Sequence, residues 1–259
     1  MAFIDLLEVR TNYRWDGPAD KPVLLLSNGL GTNLTMWDLQ IECFSNHFRV
    51  LRYDQRGHGQ SSVPHGPYRI EQLGRDVIAL LDGLGIESCY FCGLSMGGMI
   101  GQWLGINAPE RITKLVLCNT AAKIGTTESW NTRIELVLKG GVEAAVPLAL
   151  DRWFTPEFQN SAPDVIARTR DMLVSTAPAG YVACCAAIRD MDQRDLVCQI
   201  GVKTLVVAGT YDPVTTPGEG RYLADNIAGS QYVEPPAAHL SNVEAPAKFN
   251  SAIIDFLAD

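Results

Sequence analysis

Residues 89–100 read Cys89-Tyr90-Phe91-Cys92-Gly93-Leu94-Ser95-Met96-Gly97-Gly98-Met99-Ile100. This run begins as a short apolar strand, passes through a serine flanked by glycines, and continues as an apolar helix. The five residues from Gly93 to Gly97 match the G-x-S-x-G pattern of a sharp strand-to-helix turn. Such a turn strains the backbone of its serine and raises the hydroxyl at a helix N-terminus, where free N–H groups favour developing negative charge. Ser95 is therefore a candidate nucleophile, and the alternative is an accidental serine in a glycine-rich turn.

Strand-like and helix-like segments alternate on both sides of this turn. Continuous apolar runs at residues 22–27, 48–53, 114–118 and 203–209 indicate strands that are buried on both faces. Apolar residues at helical spacing fill the intervening segments, and the chain ends in another such segment at residues 247–257. Short connections between alternating strands and helices predict an α/β fold, a mostly parallel central sheet with helices on both faces.

Two segments do not follow this alternation of buried strands and helices. Residues 7–15 alternate between apolar and polar side chains, which predicts an edge strand. Residues 121–200 contain no strand-like run, and their apolar spacing predicts helical pieces at 130–138, 142–154, 163–175 and 180–188. We expect a core formed by residues 1–120 and 201–259, with residues 121–200 inserted as a helical cap.

Composition excludes several classes of partner. The formal net charge is -8, and this acidity argues against nucleic acid and anionic membranes. The first residues carry acids rather than a basic region, and no apolar run approaches the roughly 18 residues of a membrane span, so the expected location is the cytoplasm. Seven scattered cysteines indicate reduced thiols. Cys89 and Cys92 lack a second Cys/His pair, so no metal site is expected.

A serine nucleophile requires a base and an acid that orients the base. The chain has four histidines, and in this type of turn the order along the chain is serine, acid, histidine. Only His239 follows Ser95, so it is the expected base. Asp212 ends a predicted strand between these two residues and is the expected acid, whereas the strand before it ends at Asn119 without a carboxylate. Asp190, Asp192 and Asp195 lie in or near the inserted segment, where solvated charges are expected.

Two backbone N–H groups are candidates for stabilising the oxyanion. One belongs to Leu30, in the glycine-containing loop of residues 28–33, and the other to Met96, directly after the nucleophile. Each donor of this kind typically supplies roughly 3 kcal/mol of transition-state stabilisation. Asp54, Arg56 and His58 follow another predicted strand, and we expect them to hydrogen-bond and brace their loop rather than to react.

These motifs resemble those of the α/β-hydrolase family from end to end. They comprise the loop at residues 28–33, the Tyr53–Gly59 segment, the turn at Ser95, the Gly209–Asp212 segment and the Ala238–Ser241 segment. Residues 119–125 and 130–134 further resemble the 3-oxoadipate enol-lactonases of bacterial aromatic degradation. This resemblance implies hydrolysis of a small anionic lactone to 3-oxoadipate in the β-ketoadipate pathway, with no metal or organic cofactor.

The carboxylate of such a substrate requires a cation near Ser95. Arg133 is the expected partner, with Trp130 beside it, since residues three apart share a face of a helix. The alternative is that Arg133 pairs with a neighbouring glutamate on a solvated cap face.

Other functions remain open on the same residues. One group comprises a carboxylesterase, a cofactor-free haloperoxidase and a hydrolase of carbon–carbon bonds. A ligand-binding receptor on this fold, without catalysis, represents a different class. Ser95, Asp212 and His239 together favour the enzyme.

Overall fold

The structure is a computed structural model that describes residues 2–6 and 8–259. The strands in these residues are β1 (Ala2–Leu6), β2 (Val9–Asp16), β3 (Val23–Ser27), β4 (Arg49–Tyr53), β5 (Cys89–Leu94), β6 (Ile112–Cys118), β7 (Thr204–Val207) and β8 (Gln231–Val233). They form one sheet with the order β1-β2-β4-β3-β5-β6-β7-β8. The pairings of β1 with β2 and of β2 with β4 are antiparallel, and the others are parallel. The mostly parallel sheet expected from the sequence is confirmed.

The helices connect and cover these strands. In the same residues they are α1 (Asp38–Phe44), α2 (Ile70–Gly83), α3 (Met96–Asn107), α4 (Thr127–Gly140), α5 (Val146–Trp153), α6 (Pro156–Ser161), α7 (Pro163–Val174), α8 (Pro178–Asp190), α9 (Pro217–Asn226), α10 (Ser241–Glu244) and α11 (Pro246–Ala258). Helix α2 packs against α3, and α1 packs against α11. The central strands are apolar along their length because helices shield them from water. All four residues of β7, for example, are buried.

The strand predicted at residues 7–15 is not at the edge of the sheet, because β2 lies between β1 and β4. Leu7 lies outside the described residues, and β2 begins at Val9. β1 pairs with the outer side of β2, with Ala2 opposite Tyr13 and Leu6 opposite Val9, so β1 forms the edge. β1 has only one buried residue, and its sequence therefore lacks the apolar pattern by which a strand is recognised.

The segment between β6 and β7 contains helices α4 to α8 and no strand among the described residues. The predicted helix at 142–154 is divided into a 3-10 turn at Val142–Ala145 and helix α5, and Pro147 lies in the first turn of α5. Helix α6 was not predicted. Its Thr155 side chain accepts a hydrogen bond from the Phe158 amide at the N-terminus, and Pro156 follows this cap. The division into core and cap stays a prediction.

The helices of the described residues are too short or too polar to cross a membrane singly. No single helix combines the length and apolar character that a span requires. Helices α7 and α8 meet the criteria only as a pair, across a bend of 91°.

Candidate active site

Ser95 lies between β5 and α3 in a conformation that side chains rarely adopt. Its φ is 57° and its ψ is -116°, so the chain reverses sharply from strand to helix. The Ser95 amide donates to the Cys118 carbonyl at 2.9 Å, and the Ser95 carbonyl accepts from the Thr120 hydroxyl at 2.8 Å. These contacts with the end of β6 hold a backbone that would otherwise relax, since such strain costs on the order of 1–3 kcal/mol.

The flanking glycines are required by close packing of the backbone. A Cβ atom on Gly93 would lie 2.2 Å from the Gly97 carbonyl oxygen. A Cβ atom on Gly97 would lie 2.1 Å from the carbonyl oxygen of Ser27, at the end of β3. Both distances are far below van der Waals contact, so any larger residue would displace the turn. The G-x-S-x-G pattern thus follows from how closely α3 approaches β3.

His239 bridges Ser95 and Asp212. Its Nε2 lies 3.0 Å from Ser95 Oγ, and its Nδ1 lies 2.8 Å from Asp212 Oδ2. A carboxylate accepts a hydrogen bond from Nδ1–H, which leaves Nε2 free to accept the Ser95 proton. The structure brings these three predicted residues together, and all three are buried. The arrangement can activate a hydroxyl for attack on a carbonyl.

Asp212 receives several hydrogen bonds in addition to that of His239. Its Oδ1 accepts from the amides of Val214 and Thr215, at 2.7 and 3.0 Å, and its Oδ2 accepts from the Thr215 hydroxyl at 2.8 Å. Burial acts to raise the pKa of Asp212, but the charge and hydrogen bond of His239, followed by hydrogen bonds from Asn119 and Thr215, outweigh it and lower the pKa below its ordinary value. The carboxylate therefore stays ionised at neutral pH.

Asn119 supports the acid Asp212, and the sequence analysis did not identify it as a site residue. Its Nδ2 donates to Asp212 Oδ2 at 3.0 Å and to the Ala238 carbonyl at 3.2 Å, while its Oδ1 accepts from the Ser241 hydroxyl. Its backbone φ is 43°, a left-handed conformation that asparagine tolerates better than most residues. The signal in the sequence is an amide side chain directly after β6, at a position where a carboxylate would be a candidate acid.

The two predicted oxyanion donors lie beside Ser95. Met96 begins helix α3, and the first N–H groups of a helix have no partner within it. Among the described residues, the Leu30 amide has no hydrogen-bonding acceptor, and Leu30 lines the same cavity as Ser95. Both groups are thus available to an oxyanion, and this role stays a prediction.

His58 fixes the loop that carries Leu30. Its Nε2 accepts a hydrogen bond from the Gly31 amide at 2.9 Å, and its Nδ1 lies 3.3 Å from the Arg56 carbonyl oxygen. Burial lowers the pKa of His58 to about 4, although the Arg56 carbonyl opposes the shift. A neutral imidazole can accept from Gly31 at physiological pH. These contacts agree with the bracing role expected for His58.

Asp54 and Arg56 also have structural partners. Asp54 Oδ1 accepts from the Leu34 amide, and its Oδ2 accepts from the Gln60 amide, each at 2.8 Å. The Arg56 guanidinium forms a bidentate pair with Asp76. These hydrogen bonds and this ion pair offset the cost of burying the charges of Asp54 and Arg56.

Two adjoining cavities lead to Ser95. The inner chamber, about 40 Å³, contains the side chains of Ser95 and His239 together with apolar residues of the core and of α4, α5 and α8. A larger cavity of about 420 Å³ lies outside it. Ile124, Trp130, Arg133, Trp153 and Val214 line both cavities.

Trp130 and Arg133 lie on α4 and face the inner chamber. The Trp130 indole donates to the Ile124 carbonyl at 2.8 Å, and the Arg133 guanidinium carbon lies 5.6 Å from the Trp130 ring centroid. Arg133 Nη1 donates to the Tyr181 hydroxyl oxygen at 3.3 Å. Burial raises the pKa of Tyr181 to about 12, so this partner is neutral. Among the described residues, no carboxylate lies within 4 Å of Arg133, contrary to the alternative of a glutamate pair.

The metal-binding side chains of the described residues are dispersed. No group of three or more His, Cys, Asp or Glu side chains there is arranged to hold a metal ion. Cys92 instead lies 3.8 Å from Cys118, sulfur to sulfur, within the sheet. Burial raises the pKa of Cys89 to about 12, with Arg111 opposing, which keeps this thiol protonated.

The strand order of the sheet and the strand-to-helix turn at Ser95 define the class of this protein as an α/β-hydrolase fold. A family model described as the alpha/beta hydrolase fold matches residues 22–246. The chain belongs to the alpha/beta hydrolase family.

Within this family, the chain is similar over most of its length to named enol-lactonases. The chain is 46% identical over 246 residues to 3-oxoadipate enol-lactonase 2 of Acinetobacter baylyi, covering 95% of this chain and 92% of that protein. It is 39% identical over 234 residues to 3-oxoadipate enol-lactonase 1 of the same organism, covering 90% and 88%. The crystal structure of the enol-lactonase from Burkholderia xenovorans LB400 superposes over the full length of both chains, with a TM-score of 0.98 and 44% identity.

Proposed function

We propose that this protein hydrolyses 3-oxoadipate enol-lactone to 3-oxoadipate, a step in the degradation of aromatic compounds through the β-ketoadipate pathway. The observation that carries the proposal is an arginine without a carboxylate partner in the same chamber as Ser95 and His239. A neutral ester would have no use for this cation, whereas the lactone carries a carboxylate. Similarity to two enol-lactonases supports the same substrate.

Acylation uses the proposed catalytic residues Ser95, His239 and Asp212. Ser95 Oγ attacks the lactone carbonyl carbon while His239 Nε2 takes the hydroxyl proton. Asp212 keeps the imidazole in the tautomer that accepts this proton and stabilises the resulting imidazolium. The amides of Leu30 and Met96 donate to the oxyanion, which carries the charge that develops in the transition state.

Ring opening and deacylation complete the reaction. Collapse of the tetrahedral intermediate breaks the bond from the acyl carbon to the ring oxygen, and His239 returns its proton to the leaving enol oxygen. An enol oxygen leaves more easily than an alkoxide because its conjugate acid is stronger. Water activated by His239 then attacks the acyl carbon and releases Ser95, and the enol tautomerises to the ketone. Water is the only co-reactant.

The proposed cap, residues 121–200, supplies substrate recognition. Trp130, Arg133, Trp153, Tyr181 and Ile188 all come from this segment and line the inner chamber. Arg133 binds the substrate carboxylate, and the Trp130 ring supports the guanidinium from one side. The core would then supply the reaction and the cap the selectivity.

The cytoplasm is the proposed location. All seven cysteines are free thiols. Free thiols in this number are typical of a reducing compartment.

Turnover of enzymatically generated enol-lactone tests the proposed substrate. We expect kcat/KM for this lactone to exceed that for p-nitrophenyl acetate by at least about 100-fold, since only the lactone carries the carboxylate that Arg133 can bind. Equal efficiency on both would favour a general carboxylesterase, and faster perhydrolysis than lactone hydrolysis would favour a haloperoxidase.

Replacing Arg133 by glutamine should separate recognition from chemistry. A charge-assisted hydrogen bond contributes about 1.5–3 kcal/mol, so KM for the anionic lactone should rise by at least about tenfold. KM for p-nitrophenyl acetate should change by less than about twofold, since this ester has no charge to lose. Arg133→Lys keeps the charge and should recover part of the loss. Equal increases in KM for lactone and acetate would contradict the proposed role.

A further inference from the structure

The cavity outside the inner chamber is much larger than the small lactone requires. This cavity, the vestibule, has a volume of about 420 Å³, and its lining includes Arg133, Leu136, Ala145, Leu148, Ala149 and Arg152. The carboxylate of a compact five-membered lactone reaches no farther than a group beside Ser95, which Arg133 already provides. The lactone therefore leaves unused those vestibule side chains that do not line the inner chamber, among them Leu148 and Arg152.

The vestibule is positively charged within an acidic protein. Among the described residues, its lining contains two arginines, Arg133 and Arg152, and no aspartate or glutamate. Within residues 2–6 and 8–259, Arg152 has no carboxylate within 4 Å. The formal net charge of the whole chain is -8, so a cavity with cations alone departs from the rest of the surface. Two uncompensated guanidinium groups favour an anion between or beside them.

The two arginines lie in a defined order along the path from Ser95. Arg133 lines both the inner chamber and the vestibule, whereas Arg152 lines only the vestibule. An acyl group attached to Ser95 would therefore meet Arg133 first and Arg152 only with a longer chain.

Apolar side chains flank the route between the arginines. Ala145 and Ala149 are buried in its wall, and Leu136 and Leu148 remain 39% and 42% exposed. Exposed leucines beside a cation suit a ligand with a methylene chain and a terminal negative charge, since the chain removes apolar surface from water while the charge pairs with arginine.

We propose that the vestibule is a second carboxylate subsite centred on Arg152, through which Ser95 hydrolyses half-esters of longer dicarboxylic acids. The proposal rests on the serine hydrolase function proposed above. The carbonyl of the ester lies at Ser95, the methylene chain lies along Leu136 and Leu148, and the free carboxylate pairs with Arg152. A short dicarboxylic chain would stop at Arg133.

The chemistry is ester hydrolysis with water as the co-reactant. Ser95 Oγ forms a bond to the acyl carbon, the bond from that carbon to the alcohol oxygen breaks, and His239 passes the serine proton to the leaving oxygen. Water then cleaves the acyl-enzyme, which yields the dicarboxylic acid and the free alcohol.

A series of p-nitrophenyl half-esters tests the subsite. The acyl groups are dicarboxylic acids of four, six and eight carbons, and neutral monocarboxylic esters of the same lengths serve as reference substrates. At low salt, Arg152→Gln should lower kcat/KM for the eight-carbon half-ester by roughly fivefold, as expected for a partly exposed ion pair. The four-carbon half-ester and the neutral esters should change by less than about 1.5-fold. Arg133→Gln should show the opposite dependence on chain length.

Arg168→Gln is the matched control. Arg168 is exposed on α7 and is not part of either cavity lining. Among the described residues it has no carboxylate within 4 Å. It removes the same charge from the cap, so it should leave every half-ester unchanged. Salt at about 0.5 M should reduce the effect of Arg152→Gln, because ionic screening weakens exposed pairs. Equal effects of Arg152→Gln and Arg168→Gln, or an effect independent of chain length, would overturn the subsite.

A parallel assay with the enol-lactone separates the two proposals. Arg152→Gln should retain lactone turnover within about twofold, since the lactone carboxylate pairs with Arg133 and does not reach Arg152. A wild-type protein that fails on the lactone but shows the chain-length dependence would remove the proposed substrate and leave the subsite intact. A protein that turns over the lactone without that dependence would do the reverse.

Discussion

Replacing Ser95 by alanine should lower kcat for the enol-lactone by at least about 10⁴-fold, because the attacking oxygen is lost while the oxyanion donors and the binding groups remain. The fold should survive, since the hydroxyl's hydrogen-bond partner in the described part of the chain is His239, and the strained backbone is held by Cys118 and Thr120. Steady-state kinetics and circular dichroism measure the two effects separately.

Covalent labelling distinguishes the loss of a nucleophile from a general loss of structure. A fluorophosphonate should form an adduct with the wild-type protein and none with the alanine variant, as judged by intact mass. Ser251→Ala is a suitable control, since Ser251 is exposed on α11 and its hydroxyl donates to the Asp255 carboxylate one turn away. Activity of Ser95→Ala within tenfold of the wild type would refute the proposed mechanism, and absence of a wild-type adduct would favour a ligand-binding receptor.

The turn at Ser95 could be predicted from the sequence because its constraints are local. Gly93 and Gly97 are separated by four positions, and each is required by a contact within the turn or with the adjoining strand. His239 and Asp212 could be selected by their order along the chain, because this architecture places the acid and the base on loops that follow later strands. Their pairing across 27 residues needed no knowledge of distances.

Asn119, in contrast, depends on contacts that the sequence does not express. Its side chain reaches Asp212 and Ala238 only because β6 lies beside β7 and because its own φ is positive. The edge position of β1 was missed for a related reason, since a strand with one buried residue carries no periodic apolar signal. Local pattern thus determines the turn, while the supporting contacts arise from the order of strands in the sheet.

The role proposed for Arg152 could not be predicted from the sequence either. An arginine in a helical segment of an acidic protein is expected to pair with a nearby carboxylate, as Lys139 does with Glu135 one turn away. Its significance depends on the cavity that α4 and α5 form together, and on the absence of acids from the lining of that cavity. Neither property is visible from the spacing of residues in one helix.

Replacing Asp212 by asparagine should lower kcat by about 10⁴-fold with little change in KM, since a neutral amide no longer holds the His239 tautomer or stabilises the imidazolium. Asn119 offers a way to return the charge to the same place. The Asn119 Nδ2 atom and the His239 Nδ1 atom lie 3.0 and 2.8 Å from the same Asp212 oxygen. A carboxylate at residue 119 would therefore place its negative charge next to residue 212, which contacts the His239 imidazole.

The double variant Asn119→Asp with Asp212→Asn should recover at least about tenfold of the kcat lost by Asp212→Asn alone, through the restored negative charge near His239. Asn119→Asp in the wild-type background should instead lower kcat, because two adjacent carboxylates raise the pKa of the pair and one takes up a proton. Asn119→Asp would then lower kcat in the wild-type background and raise kcat in the Asp212→Asn background. Such a reversal of sign cannot come from a structural role of Asn119 alone, which would make the double variant worse than either single variant. Additive losses in this cycle would show that Asn119 supports the loop without acting on the charge of the acid.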